Sequence, residues 1–345
     1  MKLMETMTQY GHEKVLFVNN EEAGLKAIIA VHNTNLGPAI GGCRLWPYAS
    51  EEDALFDVLR LSRGMSHKNA AAGLDFGGGK AVIIADPSQK TEAMFEAFAE
   101  AVNSLGGCYI TSEDVNTSCA DALVMQRKTN YLCGLPTVSG DPSPFTAIGV
   151  WQGIKAACKV VFGTDNLKGR TIAVQGLGKV GYALCRHLHE EGAKLYVSNL
   201  HNKETLQKAV EEFGATAVSA ENIASQECDV FAPCALGAGV NPDTVPKFNC
   251  KIIAGAANNV ILDDASGEAL KARGIVYAPD FIINAGGVIN AAGEAAGNYN
   301  KEEVLKKVYN IYNTVEKVLL MSKESGRPEG VIATEYAESL IWANK

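Results

Sequence analysis

Long hydrophobic runs are missing from this chain. Its apolar stretches are strand-sized, well short of the ~20 residues a membrane-spanning helix needs, so no membrane partner is expected. Blocks of lysine or arginine are missing too. With 39 acidic residues against 31 basic ones, the formal net charge is −8. Nucleic acid and anionic lipid surfaces are therefore poor partners. The opening "MKLMETMTQYGHEK" lacks the apolar core of a signal peptide, and a cytoplasmic location is expected. There is no CxxC pair among the nine cysteines, an odd number; Cys228 and Cys234 are the nearest two. Reduced thiols are expected, with neither a disulfide framework nor a metal site. No internal repeat and no low-complexity tail is visible. What is present is a chain of 345 residues, 47% hydrophobic and 20% charged. That is enough for two ordinary globular domains.

The second half has a regular rhythm. Short apolar runs recur as "RTIAVQ" (170–175), "KLYVSN" (194–199), "CDVFAPC" (228–234), "CKIIAGAA" (250–257) and "GIVYAPDF" (274–281). Between them lie helix-like segments such as "KVGYALCRHLHEEG" and "NKETLQKAVEEFG", each closing on a glycine suited to a helix C-terminus. Strand and helix in alternation imply a parallel sheet covered on both faces. The first half carries the runs "EKVLFVNN", "LKAIIAVHN", "KAVIIAD" and "CYITSED", with fewer helices. One helix is expected over "SEEDALFDVLRLSRGM". Ser50 and Asp53 have capping-box spacing there, and Ala54, Leu55, Val58 and Leu59 share a face. Prolines and glycine cluster in "VSGDPSPFT" (138–146), where the join is expected. "AIGVWQGIKAACKVVFG" then reads as a long helix, and the last amphipathic helices as packing back on the first domain. The expected division is 1–138 plus about 325–345, against 139–324.

"QGLGKVG" places Gly176, Gly178 and Gly181 in a G-x-G-x-x-G pattern directly after a strand and at the start of a helix. The first glycine permits a tight turn, the second lets the backbone approach a pyrophosphate, and the third lets helix and strand pack closely. In this context the pattern indicates a dinucleotide site, formed by Gly176, Leu177, Gly178, Lys179, Val180 and Gly181. The acidic residue expected ~20 residues further on for the ribose is absent; the strand ends on Asn199. Asparagine can bind a hydroxyl without repelling a 2′-phosphate, and His201 and Lys203 are close in sequence. NAD and NADP both stay open. The fold class is α/β: an N-terminal α/β domain with a mixed sheet, and a Rossmann-type, doubly wound dinucleotide-binding domain.

"GGGK" (77–80) delivers Lys80 to a buried strand. A nucleotide phosphate loop would need glycine where Leu74 stands and a hydroxyl where Ala81 stands, so that reading fails. Two alternatives remain: a lysine held where desolvation makes it a base, or a surface lysine after a glycine turn. Lys68 lies twelve residues earlier and Asp114 follows another strand. Two lysines and a carboxylate at strand ends suit proton transfer on a small charged substrate. The backbone of Gly41 and Gly42 could meet a carboxylate. His67 reads as a packing residue, and Arg44 and Trp46 as part of a domain core or subunit contact. The pairs Glu51–Glu52, Asp263–Asp264 and Glu302–Glu303 suit helix starts and solvent.

The chain resembles the amino acid dehydrogenase family, most closely its short leucine, valine and phenylalanine branch. The matching segments are "GLKAIIAVHNTNLGPAIGGCRLWPY", "LRLSRGMSHKNAAAGLDFGGGKAVII", "YITSEDV", "AVQGLGKVG", "DVFAPCALGA", "IIAGAANN" and "YAPDFIINAGGVIN". They run in family order and cover nearly the whole chain. The resemblance implies reversible oxidative deamination of an L-amino acid to a 2-oxo acid and ammonia, with NAD or NADP as acceptor. It implies that Lys68 binds the substrate carboxylate, helped by the backbone near Gly41 and Gly42. Lys80 would be the base that activates water, and Asp114 would move protons to and from the substrate nitrogen. Asn258 or Asn259 would orient substrate, and Thr146 and Asn284 would hold the cofactor. The active site would lie in a cleft between the domains. A homo-oligomer is implied, an octamer by expectation.

By the same resemblance Ile40, Ser112, Val288 and Ala291 line the side-chain pocket. Leucine enzymes usually carry alanine where Ser112 stands and valine where Ala291 stands. The pocket is mostly apolar and has no cation for a glutamate side chain, so branched aliphatic substrates come first. The larger space beside Ala291 makes a broader or aromatic preference the alternative. A non-catalytic nucleotide or amino-acid sensor is the rival of another class, and a non-redox enzyme on the same fold a third. Retention of Lys68, Lys80 and Asp114 together argues for the enzyme.

Overall fold

Near-continuous apolar strands need cover on both faces, and the first unit supplies it around a mixed six-stranded sheet. The strands are β1 (Lys14–Asn20), β2 (Leu25–Asn33), β3 (Ala39–Ile40), β4 (Cys43–Trp46), β5 (Gly77–Ile84) and β6 (Tyr109–Ile110). Their order is β1-β2-β5-β3-β6, with β4 also paired to β5. β2 runs antiparallel to β5, whereas β3 and β4 run parallel to it. The helix Glu51–Ala71 covers one face, setting Ala54, Leu55, Val58 and Leu59 on Ile28, Ala30 and Val82. Ser50 caps it by accepting from the Asp53 amide. The helix Glu92–Ser104 covers the other face with Phe95 and Phe98.

The chain is described from a computed structural model covering residues 2–235 and 237–343. It forms two units. One comprises Met1–Pro142, Val288–Val304 and Ala337–Lys345; the other comprises Ser143–Gly287 and Leu305–Tyr336. This division differs from the one expected from sequence. The helix Ile311–Ser325 packs on the helix Ser143–Phe162 of the second unit, and only the end of the last helix returns to the first. The segment 288–304 joins the first unit as well, by contacts that no local pattern announces.

The second unit holds β7 (Thr171–Gln175), β8 (Lys194–Ser198), β9 (Thr216–Ala217), β10 (Val230–Pro233), β11 (Ile252–Ile253) and β12 (Val276–Tyr277). All pairings are parallel and the order is β12-β11-β10-β7-β8-β9. The order therefore reverses between β7 and β10, where doubly wound sheets bind ligands at the strand C-termini. The nine cysteines are free thiols. Among the described residues no helix is long and apolar enough to cross a membrane, and no cluster has the make-up of a metal site.

Candidate active site

The glycines before Lys80 are not a turn. They form the first half of β5, and Lys80 lies inside the strand opposite Ala30 of β2. Each glycine is needed for a close approach. A Cβ on Gly77 would stand 1.9 Å from the Asn33 carbonyl oxygen, and one on Gly78 would stand 2.1 Å from the Ser66 amide nitrogen. On Gly79 it would meet the Tyr109 ring at 2.6 Å. The helix bearing Lys68 can thus settle directly on β5. Ser66 sits on Gly78, and Asn69 Nδ2 donates to the Gly77 carbonyl at 2.6 Å. Lys68, half-buried, stands on the turn between them.

Lys80 is buried, and its Nζ is 3.1 Å from Asp114 Oδ1. Asp114 opens a turn stitched onto β4. Its amide donates to Thr117 Oγ1, Thr117 Oγ1 donates to the Cys43 carbonyl, and Asn116, in the left-handed region at φ 58°, donates from Nδ2 to the Leu45 carbonyl. Gly42 makes room for it, since a Cβ there would lie 2.9 Å from Asp114 Cβ. Asp114 Oδ2 accepts from Arg44 Nε at 3.0 Å. Burial works against a charge on Asp114, but Lys80 and Arg44 outweigh it and hold the carboxyl below its usual range. Arg44, expected in a core or subunit contact, is the site residue that sequence reasoning missed. The signal was a lone arginine in an apolar strand, which requires buried anionic partners.

Of the two backbone amides expected to meet a carboxylate, the one on Gly41 is occupied. It donates to the Ile110 carbonyl because β3 extends its pairing with β6, which leaves the Gly42 amide as the candidate. Ile40 is buried in β3. Ser112 is half-buried, and its hydroxyl points to the Glu113 carbonyl at 3.4 Å. Val288 and Ala291 stand one turn apart, half-buried, on the helix Gly286–Ala295. That helix is tied to the loop 134–139. Asn290 Nδ2 donates to the Ser139 carbonyl, while Glu294 accepts from the Gly134 and Leu135 amides and the Ser139 hydroxyl. His67 is buried beside Glu338, and burial pushes its pKa down to about 4, as befits a packing residue.

In the second unit the glycine pattern forms a cradle at the β7–β10 switch point. Gly176 has φ 96° and donates to the Ser198 carbonyl at 2.8 Å. A Cβ on Gly181 would stand 2.1 Å from the Gly176 carbonyl oxygen, so helix and turn touch. Gly178 heads the helix Lys179–Glu190, with no side-chain cap and open space where a side chain would go. Leu177 is buried beneath, and Val180 is half-buried. Asn199 follows β8, and its Nδ2 donates to the Asn202 carbonyl at 3.1 Å, closing a turn. Next to the cradle, Asn284 Nδ2 donates to Asn258 Oδ1 at 2.8 Å and to the Ala256 carbonyl at 3.1 Å. Its Oδ1 is buried without a hydrogen-bond partner among the described residues. Thr146 is one residue from Phe145, whose carbonyl oxygen lies 2.0 Å from where a Cβ on Gly286 would be. Asn259 is exposed at φ 51°. An open helix N-terminus and an orphaned amide oxygen fit a bound dinucleotide.

These features define the class of protein: a dinucleotide-binding α/β protein that also carries a buried lysine–aspartate pair suited to proton transfer. Known proteins carry this further. Residues 12–131 match the family described as "Glu/Leu/Phe/Val dehydrogenase, dimerisation domain", and residues 196–339 match "Glutamate/Leucine/Phenylalanine/Valine dehydrogenase". The chain is 53% identical to the leucine dehydrogenase of Bacillus subtilis (strain 168), covering 99% of this chain and 94% of that one. It is 46% identical to the L-tryptophan dehydrogenase of Nostoc punctiforme, covering 100% and 98%. A crystal structure of L-tryptophan dehydrogenase from Nostoc punctiforme superposes with a TM-score of 0.89 at 44% identity, over 98% of each chain. The chain belongs to the Glu/Leu/Phe/Val dehydrogenase family and is an NAD(P)-dependent amino acid dehydrogenase.

Proposed function

We propose that the protein deaminates branched aliphatic L-amino acids to their 2-oxo acids and ammonia, reversibly, with NAD as the preferred acceptor. The observation that carries this is the Lys80–Asp114 pair, 3.1 Å apart, in a unit whose proposed pocket residues Ile40, Val288 and Ala291 are apolar. Lys68 binds the substrate carboxylate and the Gly42 amide assists. Asp114 takes a proton from the substrate nitrogen. A bound nicotinamide would supply the acceptor for the α-hydrogen and its electron pair. Lys80 takes a proton from the water that attacks the resulting imino acid, Asp114 returns a proton to the departing nitrogen, and the proton of the new hydroxyl leaves with the ammonia as ammonium while the carbonyl forms. Gly176, Gly178 and Gly181 would hold the pyrophosphate, Asn199 the ribose, and Thr146 and Asn284 the nicotinamide end; Asn258, which accepts from Asn284, or Asn259 would orient the substrate.

A second reading keeps the chemistry and changes the substrate. Ala291 stands where the leucine branch usually has valine, and a tryptophan dehydrogenase is among the similar proteins. One methylene of fit is worth ~1–3 kcal/mol, so neighbouring substrates separate modestly. Initial rates with a panel of L-amino acids, each with NAD and with NADP, test both readings. Leucine, valine and isoleucine leading with NAD supports the first. An aromatic substrate in the lead replaces it with the second, NADP in the lead reverses the cofactor choice, and no nicotinamide reduction with any amino acid sinks both. The same reading takes the protein as a cytoplasmic homo-oligomer, an octamer; light scattering on the eluting protein measures this.

A further inference from the structure

Arg44 lies in a strand of four residues whose Cys43 and Leu45 are fully buried. A guanidinium in such a place needs anions, and it has one on each side. Its Nε donates to Asp114 Oδ2 at 3.0 Å, and its Nη1 donates to Asp57 Oδ2 at 2.9 Å. Asp57, on the helix Glu51–Ala71, also accepts from the Tyr48 hydroxyl at 2.7 Å and from Arg60 Nη2 at 2.8 Å. The other oxygen of Asp114 faces Lys80 at 3.1 Å. Charges therefore alternate in sign through Arg60, Asp57, Arg44, Asp114 and Lys80.

We propose that Arg44, anchored by Asp57, is a positioning residue for proton transfer: it orients the Asp114 carboxylate toward Lys80 and sets the pH at which the pair works. The inference rests on the reading of Asp114 and Lys80 as the proton-transfer pair. An aspartate held by one cation can rotate and offer either oxygen. With Arg44 on Oδ2, only Oδ1 is presented to Lys80. The charge has a second effect. Removing a cation 3.0 Å from Asp114 makes every proton of the cluster harder to lose, and removing the Asp57 anion makes it easier. The apparent pKa values belong to the cluster and not to one member. The other groups about it do not reproduce this pattern. Cys43 on β4 and Tyr109 on β6 are kept neutral, chiefly by burial. Lys90 and Asp121 offset each other as an ion pair at 2.8 Å. Tyr48 and Arg60 act on the Asp57 side, Glu113 accepts from the Cys119 thiol, and Lys68 stands on the adjoining helix.

The test is the pH profile of kcat/KM for the protein and for R44Q, R44K, D57N and D114N, with nucleotide affinity as a control. R44Q should move the acid limb up by about one pH unit, which is a roughly tenfold loss at a fixed pH on that limb. D57N should move it down. R44K should restore the position of the limb while kcat stays low and KM changes little, because one ammonium cannot hold both carboxylates as a fork does. R44Q and D57N limbs that coincide with the parent, or that move the same way, overturn the proposal and leave Arg44 a packing residue. If R44Q does not fold, D57N decides by the direction of its limb and R44K by its kcat: a parental kcat in R44K, or an unmoved limb in D57N, overturns the proposal. D114N separates the two ideas: near-parental turnover in D114N removes the proton-transfer reading itself, whatever the Arg44 variants do.

Discussion

A side chain at residue 78 would occupy the position of the Ser66 backbone. Gly78→Ala puts a Cβ 2.1 Å from an amide nitrogen, which cannot swing aside as a side-chain tip would. The helix Glu51–Ala71 must then lift from β5. The expected cost is roughly 3 kcal/mol, read as a lower urea midpoint, and activity should fall with it because Lys68 and Lys80 ride on the two elements. Gly64 gives the opposite result. It is exposed in the same helix, and a Cβ there would meet nothing within 4 Å, so Gly64→Ala should stabilise by about 0.5–1 kcal/mol. Equal midpoints for the two variants would contradict the packing described. Three glycines in a row resemble a turn in sequence, and strand interiors usually exclude them. Their reason lies in Asn33, Ser66 and Tyr109, all distant along the chain, which is why Lys80 was legible as a candidate while its place inside β5 was not. Asn199 carries a further prediction. Asn199→Asp should raise the NAD to NADP preference by about tenfold, the effect of ~1–2 kcal/mol of repulsion toward a 2′-phosphate. An unchanged ratio of kcat/KM values would place Asn199 away from the ribose.

The helix Gly286–Ala295 does two things. It carries Val288 and Ala291, and Asn290 and Glu294, four apart, clamp the loop 134–139. Glu294 receives two backbone amides and a hydroxyl, and a carboxylate is the acceptor that such a set calls for. Glu294→Gln sets an amide donor against those donors and should cost roughly 2 kcal/mol, seen as a lower Tm. Ala291→Val adds volume without touching the clamp. It should shift kcat/KM toward smaller aliphatic substrates by about tenfold against large ones. An unaltered substrate ranking would show that residue 291 does not line the pocket. Val288 and Ala291 were legible as pocket candidates through the family resemblance; the helix that carries them was not. Neither was Glu294, since its partners are two amides and a hydroxyl of a loop whose position no local pattern encodes.

The two units differ in how far sequence revealed them. In the second, strand and helix alternate with caps at Asn202 and Gly214, and right-handed crossovers leave few arrangements for a parallel sheet. In the first, β3 and β6 are two residues long and their pairing rests on crossovers that periodicity does not report. The first unit also buries three of the six histidines, His12, His32 and His67, in one cluster. His32 Nε2 lies 2.8 Å from the Tyr10 carbonyl, so it donates, and Nδ1 accepts from the Ser66 hydroxyl. His12 Nε2 likewise faces the Leu59 carbonyl, and Arg63 and Glu338 are the charged groups alongside. Burial, with Arg63 adding to it, lowers all three below the ordinary value of 6.5, His32 to about 3 and His67 to about 4. The unfolded chain therefore binds protons that the folded chain refuses. Stability from these groups is fully present above pH 6.5 and is lost as pH falls toward their folded values. At pH 5 His32 and His67 would each forfeit about 2 kcal/mol, together a large share of an ordinary folding free energy. The lowered carboxylates Asp57 and Asp114 contribute their loss only at lower pH, near and below their unfolded range. Acid should thus destabilise the protein well above the carboxylate range, and His32→Gln, which can still donate to Tyr10, should flatten the slope of stability against pH between 6.5 and 5. Denaturant midpoints across that interval measure it, and an identical slope in the variant would show that His32 does not titrate on unfolding.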